Sequence, residues 1–334
     1  MLYSAVLAAF TVYFLLDTFV ITRVYSAETS SANTALQSAT EDQSQLQSGN
    51  TASGSEESGS TTAKSKRSKK NSSASSSSSG SQQAIAKTIS PDVTENTYTD
   101  ENICISITEY EVSDSVVYVA DVQLKSADYL KTALAQGAYG KNVTDETSSI
   151  AQGVGAILAI NGDYYGSQEK GYVIRNGVLY RSTAVSGKQD LVIYKDGSFE
   201  IITEGEVSAE ELLANGAMQV LSFGPGIVEN GKVSVSSSYE VAKAMNSNPR
   251  TAIGIIDDLH YVFVVSDGRT SESEGLSVYQ LAQFMQSLGV QTAYNLDGGG
   301  SSTMYFNGNI VNNPTTNGRT IKERSVSDIV YIGY

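Results

Sequence analysis

The stretch "AYNLDGGGSSTMYFNG" (residues 293–308) interrupts a strand-forming sequence with one aspartate, three glycines and two serines. Glycine weakens a strand, so the interruption needs a physical reason. Consecutive glycines allow positive φ, and their backbone N–H groups can converge to form an anion-binding nest. A β-bulge or a tight strand connection is the alternative interpretation. The stretch therefore predicts a strand that ends at Asp297 and a turn that presents Gly298, Gly299, Gly300 and Ser301.

Nucleotide-binding loops do not fit this turn. No lysine follows the glycines in the G-K-[ST] arrangement, and the spacing is not G-x-G-x-x-G.

An earlier stretch, "VGAILAINGDYYG" (154–166), has the same form as the stretch around Asp297, because an apolar strand runs into Asn161-Gly162-Asp163. Two strands thus each deliver an asparagine and an aspartate to a glycine-containing turn, the second pair being Asn295 and Asp297. Functional residues often lie at such strand ends, so this repetition predicts one shared site.

Arginines at other strand ends favour an anionic ligand. "NSNPRTAIGI" (246–255) places Arg250 at the start of a strand, and "VVSDGRTSESEG" (264–275) places Asp267 and Arg269 at the end of another. Such arginines bind phosphate or carboxylate in a bidentate manner, although surface ion pairs are the alternative. In "IKERSVSD" (321–328), Glu323 and Arg324 could pair near the site, but the end of a strand is the favoured interpretation.

The fold class follows from turn signals. Asn-Gly or Asp-Gly pairs between alternating apolar runs predict β-hairpins at 176–177, 196–197, 230–231 and 307–308. Helices are few: "SAEELLANG" (208–216) and "SVYQLAQFMQSLG" (277–289) each begin with a serine cap and end at a glycine. Residues 92–334 are therefore predicted to form one α+β domain, with a strand-rich mixed sheet, several hairpins and a few helices.

The N-terminal part has a different composition. "LYSAVLAAFTVYFLLDTFVIT" (2–22) is apolar and long enough to span a bilayer, so residues 1–25 are predicted to be a transmembrane anchor; a cleaved signal peptide is the alternative. Residues 26–91 are rich in serine and are predicted to be a disordered tether. The protein is expected to be located in the cell membrane, which it crosses once, with its large domain outside the cell. A secreted protein is the alternative.

Composition also limits the partners. The formal net charge of −14 disfavours nucleic acid. A single cysteine, Cys104, excludes an intramolecular disulfide, and the single histidine, His260, leaves no material for a Cys/His zinc site. No cofactor is expected. A divalent cation stays open, because Asp163, Asp267 and Asp297 carry hard oxygen ligands, but nothing in their spacing demands one.

Taken together, the motifs resemble those of the phosphodiester glycosidase family. The resemblance covers roughly residues 126–334. The matching stretches are "INGDYYG" (160–166), "FGPGIVENGK" (223–232), "NPRTAIGI" (248–255), "VSDGR" (265–269), "GLSVYQLAQFMQSLG" (275–289) and "AYNLDGGGSSTM" (293–304), followed by "NNP" (312–314) and "GRTIKERSVSD" (318–328).

The resemblance implies hydrolysis of a sugar 1-phosphodiester, with an N-acetylglucosamine-like sugar, on a cell-surface or extracellular glycan. Asp297 is the first choice for nucleophile or general base, and Asp163 is the second. The expected substrate-binding residues are Asn161, Arg250, Asp267, Arg269, Asn295, Gly298, Gly299, Gly300 and Ser301. A non-catalytic module that binds phosphoglycans, or one that serves exopolysaccharide assembly, is the alternative.

Overall fold

The structure is a computed structural model that describes residues 2–27, 91–239 and 247–334. The predicted tether, residues 26–91, lies almost entirely outside the described residues. Strands dominate the described part, which confirms the expected strand-rich domain with few helices. The α-helices are Leu2–Phe19 (α1), Thr147–Gly153 (α2), Ala209–Ala214 (α3) and Val278–Ser287 (α4).

Short 3-10 turns lie at Ala127–Tyr129, Ala135–Gly137, Tyr165–Ser167 and Gly299–Ser301. The strands, in chain order, are Arg23–Val24 (β1), Asp92–Val93 (β2), Thr97–Thr99 (β3), Ile103–Glu111 (β4), Val116–Leu124 (β5), Leu130–Leu134 (β6), Gly140–Lys141 (β7), Leu158–Asn161 (β8), Val173–Arg175 (β9), Val178–Arg181 (β10), Gln189–Tyr194 (β11), Phe199–Thr203 (β12), Ala217–Leu221 (β13), Gly226–Glu229 (β14), Lys232–Val233 (β15), Arg250–Asp257 (β16), His260–Ser266 (β17), Thr292–Asn295 (β18), Met304–Phe306 (β19), Asn309–Ile310 (β20) and Asp328–Ile332 (β21).

Three larger sheets form the domain. The nine-stranded sheet has the order β15-β14-β18-β16-β17-β5-β4-β3-β2, and the two five-stranded sheets have the orders β10-β9-β13-β11-β12 and β20-β19-β8-β21-β6. Neighbouring strands in these sheets pair antiparallel. The main core contains buried side chains from all three sheets, such as Phe263, Ile193 and Ile160. Because all three sheets bury apolar side chains in this one core, their positions relative to one another are fixed.

The four predicted hairpins are confirmed. They connect β9 to β10, β11 to β12, β14 to β15 and β19 to β20. In three of them the asparagine and the glycine both have positive φ, for example 50° at Asn176 and 74° at Gly177. Two-residue hairpin loops with this backbone match the twist of the strands, so the local sequence alone specifies them.

The two predicted helices are also confirmed. The Ser208 side chain accepts a hydrogen bond from the Glu211 backbone at the start of α3. Ser277 and Gln280 form a full capping box at the start of α4. The apolar face of α4 is completely buried, with Leu281 and Met285 packed against the nine-stranded sheet in a second core cluster. This packing holds α4 directly before β18, the strand that leads to Asp297.

The end of α1 and the residues that follow it contact the main domain. Arg23 and Val24 of β1 pair with β7, and Asp17 forms ion pairs with Arg23 and, at 3.5 Å, with Lys141. Among the described residues, no helix is long and apolar enough to cross a membrane. The membrane anchor predicted for residues 1–25 is therefore not confirmed.

Candidate active site

Two strand ends from different sheets meet at the candidate site. β8 ends at Asn161 in a five-stranded sheet, and β18 ends two residues before Asp297 in the nine-stranded sheet. The Asn161 side chain donates to the Asp297 carbonyl (2.6 Å), and the Asp297 backbone N–H donates to the Gly162 carbonyl (3.2 Å). Asn161 also accepts from the Thr251 hydroxyl (2.8 Å). Because Asn161 is fully buried, these bonds fix the Asp297 backbone.

The Asp297 carboxylate lies at the surface of this junction. Its Oδ1 accepts from the Gly298 backbone N–H (2.9 Å), and its Oδ2 accepts from the Ser301 hydroxyl (2.6 Å). Arg324 Nη2 lies 3.2 Å from the same Oδ2, and 17% of the Asp297 side chain is exposed. Burial raises the pKa of the Asp297 carboxyl, and the Arg324 charge and the two hydrogen bonds only partly offset this effect. Asp297 is thus a reachable carboxylate in a partly desolvated position.

Arg324, for which the sequence interpretation favoured the end of a strand, lies in the site. Its guanidinium contacts the Asp297 carboxylate, the Gly298 carbonyl (3.1 Å) and the Ser301 hydroxyl. Its neighbour Glu323 points elsewhere and accepts from the Ser148 backbone (3.0 Å) in the first turn of α2. The adjacent charges in "KER" suggest a pair between Glu323 and Arg324, but the structure sends them to different partners.

Two further arginines lie against the glycine turn. Arg269, at φ +65°, donates to Asn248 Oδ1 (2.8 Å) and to the Thr316 carbonyl (2.7 Å). Within the described residues its hydrogen bonds go to neutral acceptors, and burial together with the Arg324 charge lowers the pKa of its guanidinium. Arg269 and Arg324 both lie against the glycine turn, and two positive groups at one turn favour the binding of an anion beside them.

Arg250 lies behind the turn and is almost completely buried. Its Nε donates to the Leu276 carbonyl (2.8 Å), and its Cα lies 3.8 Å from where a Cβ on Gly298 would be. At Gly299, where φ is +62°, an added Cβ would lie 2.8 Å from Arg269 Nη2. The glycines therefore let the turn pack closely against two of the three arginines.

The turn does not present the row of free backbone amides expected of an anion nest. The Gly298 amide donates to Asp297, the Gly299 amide to the Pro249 carbonyl (2.8 Å), and the Ser301 amide to the Gly298 carbonyl (3.3 Å). These amides are already used by the Asp297 carboxylate, by the segment that precedes Arg250 and by the turn itself. Anion binding at this position therefore depends mainly on guanidinium groups rather than on the backbone.

Asp163, the second candidate for catalysis, is buried away from the surface. Its Oδ2 accepts from Arg175 Nη2 (2.8 Å) and from the Ser222 backbone (2.8 Å), and its Oδ1 accepts from the Tyr165 backbone (2.9 Å). Arg175 also donates to Asp328 (2.7 Å). Burial raises the pKa of Asp163, but Arg175 and the two backbone donors outweigh it and lower the pKa overall. A carboxylate in this buried pair cannot contact a ligand, so the geometry gives Asp163 a positioning role.

Asn295 and Asp267 likewise hold neighbouring loops. The Asn295 side chain donates to the Gly224 carbonyl (2.8 Å). The Asp267 carboxylate accepts from the Asn312 side chain (3.0 Å) and from the Asn313 backbone (2.9 Å). Across residues 2–27, 91–239 and 247–334, no group of three or more His, Cys, Asp or Glu side chains is placed to hold a metal ion.

Tyr164, three residues after Asn161, forms an aromatic pair with Phe223. Tyr164 is 38% exposed, and its ring makes an edge-to-face contact with Phe223 at a centroid distance of 5.1 Å and an angle of 71°. Burial raises the pKa of the Tyr164 hydroxyl, a hydrogen bond with Gln168 partly opposes this, and the negative charge of Asp297 adds to the rise. The sequence interpretation did not select either ring.

The sequence and the fold of this chain are similar to those of known proteins. Residues 154–333 match the model of the family described as phosphodiester glycosidase. The chain belongs to this family, as its motifs predicted.

Several curated proteins are similar to the chain. The mouse N-acetylglucosamine-1-phosphodiester alpha-N-acetylglucosaminidase is 28% identical over 222 residues, which are 61% of this chain and 42% of the mouse protein. An uncharacterised SPbeta prophage-derived protein of Bacillus subtilis is 30% identical over 201 residues, which are 59% of this chain and 31% of that protein. The matched region thus spans less than half of the length of each of these relatives.

The fold is similar to that of solved structures. The catalytic domain of the zebrafish N-acetylglucosamine-1-phosphodiester alpha-N-acetylglucosaminidase, auto-inhibited by its pro-peptide, matches with a TM-score of 0.56 and 21% identity. That match covers 70% of this chain and 83% of the zebrafish chain. A hypothetical protein from Synechocystis matches with a TM-score of 0.51 and 15% identity over 70% of this chain and 62% of that chain. At these identities the likeness concerns the fold.

Proposed function

We propose that this protein hydrolyses a sugar 1-phosphodiester with an N-acetylglucosamine-like sugar and releases the sugar and a phosphomonoester. The observation that carries the proposal is the partly exposed Asp297 carboxylate, 3.2 Å from Arg324 Nη2. The family and the activity named for the mouse relative support the same reaction class. An extracellular or cell-surface glycan is the proposed substrate, in keeping with the serine-rich composition of residues 26–91.

The chemistry of the leaving group explains the arginines. In an ordinary glycosidase, a carboxylic acid must protonate a poor alkoxide leaving group. A phosphomonoester leaves as a stable anion, so charge stabilisation matters more than protonation. In the proposed reaction, the bond between the anomeric carbon and the phosphate oxygen breaks, its electron pair stays on the phosphate, and water supplies the hydroxyl group of the released sugar. Guanidinium groups are suited to stabilise the negative charge on the phosphate.

Each site residue then has a defined task. Arg269 and Arg324 bind the phosphate, and Arg250 supports the turn behind them. Asp297 acts at the anomeric carbon as nucleophile, or as the general base that takes a proton from water. Asn161 holds the Asp297 backbone through its 2.6 Å hydrogen bond and is therefore a positioning residue.

The proposal is tested by phosphomonoester release from a synthetic α-N-acetylglucosamine 1-phosphodiester by the full-length protein. Asp297→Asn keeps the shape of the side chain but removes its charge, and we expect activity to fall by about 100- to 1000-fold. Asp258→Asn, at an exposed position in the turn between β16 and β17, is the matched control and should keep full activity. Full activity in Asp297→Asn would show that the assignment of Asp297 is wrong.

One observation favours a second candidate, a non-catalytic module that binds phosphoglycans. The Asp297 carboxylate already accepts from Gly298 and Ser301 and pairs with Arg324, an arrangement that can also serve to hold arginines in place. Such a module needs the arginines and an oxygen acceptor at residue 297, and Asp297→Asn keeps one such acceptor while it removes the charge. Calorimetric binding of the phosphodiester by wild type and by Asp297→Asn, with no phosphomonoester release by wild type, would favour this second candidate over hydrolysis.

A further inference from the structure

Tyr164 and Phe223 form an aromatic corner, and Tyr164 follows by two residues the Gly162 carbonyl that accepts the Asp297 backbone N–H. Their rings meet at 71°, with centroids 5.1 Å apart, so they form two walls of a corner rather than one flat surface. Tyr164 keeps 38% of its surface exposed, whereas Phe223 also packs against the main core. Ligand sites are commonly lined by aromatic side chains, with a few polar groups that fix the orientation of the ligand.

The loop that carries Phe223 is fixed from three sides. The Ser222 backbone N–H donates to Asp163 (2.8 Å), and the Gly224 carbonyl accepts from Asn295 (2.8 Å). Between them, the Phe223 backbone N–H donates to the Tyr294 hydroxyl (2.9 Å). Asp163 of the first motif and Asn295 of the second thus hold the Phe223 loop from the interior.

Tyr164 is placed by the same motifs. It directly follows Asp163, whose carboxylate also accepts from the Tyr165 backbone (2.9 Å). Two residues before Tyr164, the Gly162 carbonyl accepts the Asp297 backbone N–H at 3.2 Å. The backbone before Tyr164 is therefore anchored to the strand end that bears Asp297, and the backbone after it is anchored to the Asp163 carboxylate.

We propose that this aromatic corner binds the apolar C–H face of the pyranosyl ring of the ligand, while Arg269 and Arg324 bind its phosphate. The inference rests on the proposed function, because it takes a sugar phosphodiester as the ligand. It assigns Tyr164 and Phe223 as sugar-binding residues, and it assigns Asp163 and Asn295 as the residues that position Phe223. The physical basis is that a pyranose ring has an apolar face that packs well against an aromatic ring.

The test separates sugar binding from phosphate binding and from turnover. Full-length protein is titrated, by NMR, with the neutral methyl α-pyranosides of N-acetylglucosamine, glucose, galactose and mannose. We expect wild type to bind at least one of them, Tyr164→Ala to weaken that binding by about tenfold, and Tyr164→Phe to bind within about twofold of wild type. Inorganic phosphate, titrated separately, should bind Tyr164→Ala as it binds wild type and should bind Arg324→Gln more weakly.

Tyr110→Ala is the matched control, because Tyr110 is 39% exposed and also makes an edge-to-face contact with a phenylalanine, Phe284, at 5.5 Å. It should leave sugar binding unchanged. Thermal unfolding of each variant shows whether the fold is intact. Unchanged sugar binding in a folded Tyr164→Ala, or no binding of any of the four pyranosides by wild type, would overturn the inference. Sugar binding that depends on Tyr164, without phosphomonoester release, would support the corner and contradict only the proposed hydrolysis.

Discussion

Arg324 Nη2 lies 3.2 Å from Asp297 Oδ2, although the two residues are 27 positions apart in the sequence. The same guanidinium also contacts the Ser301 hydroxyl, which itself donates to Asp297 (2.6 Å). Arg324 thus influences both the position and the charge of the carboxylate. Its side chain is 42% exposed, so it remains accessible to a ligand.

Replacing Arg324 should change the pH dependence of the activity. Arg324 lowers the pKa of Asp297, so Arg324→Gln should raise that pKa and shift the acidic limb of the kcat/KM profile to higher pH, because Asp297 must be ionised to act. Arg324→Lys keeps the charge and should shift the limb less. The loss in kcat/KM at the optimum should be about 100-fold for Arg324→Gln. An unchanged acidic limb in Arg324→Gln would argue against Asp297 as the titrating group.

Removing Arg175 should destabilise the fold strongly. Arg175 pairs with Asp163 (2.8 Å) and Asp328 (2.7 Å), and all three side chains are at most 2% exposed. Arg175→Met leaves two buried carboxylates without their cation, which typically costs about 3–5 kcal/mol of the free energy of unfolding. Denaturant unfolding measures this effect. Arg319→Met, at an exposed position, is the control and should change stability by less than about 0.5 kcal/mol.

Asp328 should make stability depend on pH near neutrality. Burial and the Asp163 charge together outweigh the opposing effect of Arg175 and raise the pKa of Asp328 from 3.8 to about 7. A raised folded-state pKa contributes stability that is fully present below 3.8 and is lost as the pH rises through about 7. Asp163, whose pKa is lowered, contributes stability that is lost only as the pH falls through its folded-state pKa.

The variant Asp328→Asn should therefore lose less stability than wild type when the pH is raised from about 5 to about 8, with about 1.4 kcal/mol per pKa unit as the upper limit of the difference. Its amide oxygen can still accept the Arg175 hydrogen bond. Urea unfolding of both proteins at the two pH values is the measurement. Equal pH dependence in the two proteins would contradict the assignment of a raised pKa to Asp328.

Gly162 should tolerate no side chain. A Cβ at this position would overlap the Asp328 carboxylate, which is buried and held by Arg175. We expect Gly162→Ala to cost about 1–3 kcal/mol of stability and to lower activity, because the Gly162 carbonyl accepts the Asp297 backbone N–H. At Gly153, within α2, an added Cβ meets no atom within 4 Å, so Gly153→Ala is the control. Melting temperature and phosphomonoester release would be compared for the two variants, and equal effects would contradict this account.

Local features were predictable because their causes are local. The Asn-Gly and Asp-Gly hairpins and the serine-capped helices depend on residues within one turn of one another, and all of them are present in the structure. The repeated Asn and Asp at two strand ends also predicted, correctly, that Asn161 and Asp297 come together.

The functions of individual side chains were less predictable. Asp163 and Asp297 occupy equivalent places in their motifs, yet one is buried against Arg175 and the other lies at the surface. Sequence position does not show which face of a strand end will be covered by another sheet. Arg324 was assigned to a strand end for the same reason, since its contact with Asp297 joins residues that are 27 positions apart in the sequence.

The sequence by itself determined the strand-rich fold class, the hairpins, the family and the meeting of two motif strands. The tertiary structure decided which charged groups act together: Arg324 with Asp297 at the surface, and Arg175 with Asp163 and Asp328 in the interior. The physical reason is that turns and caps form between neighbours in the chain, whereas the desolvation and pairing of a charge depend on residues brought together from distant segments.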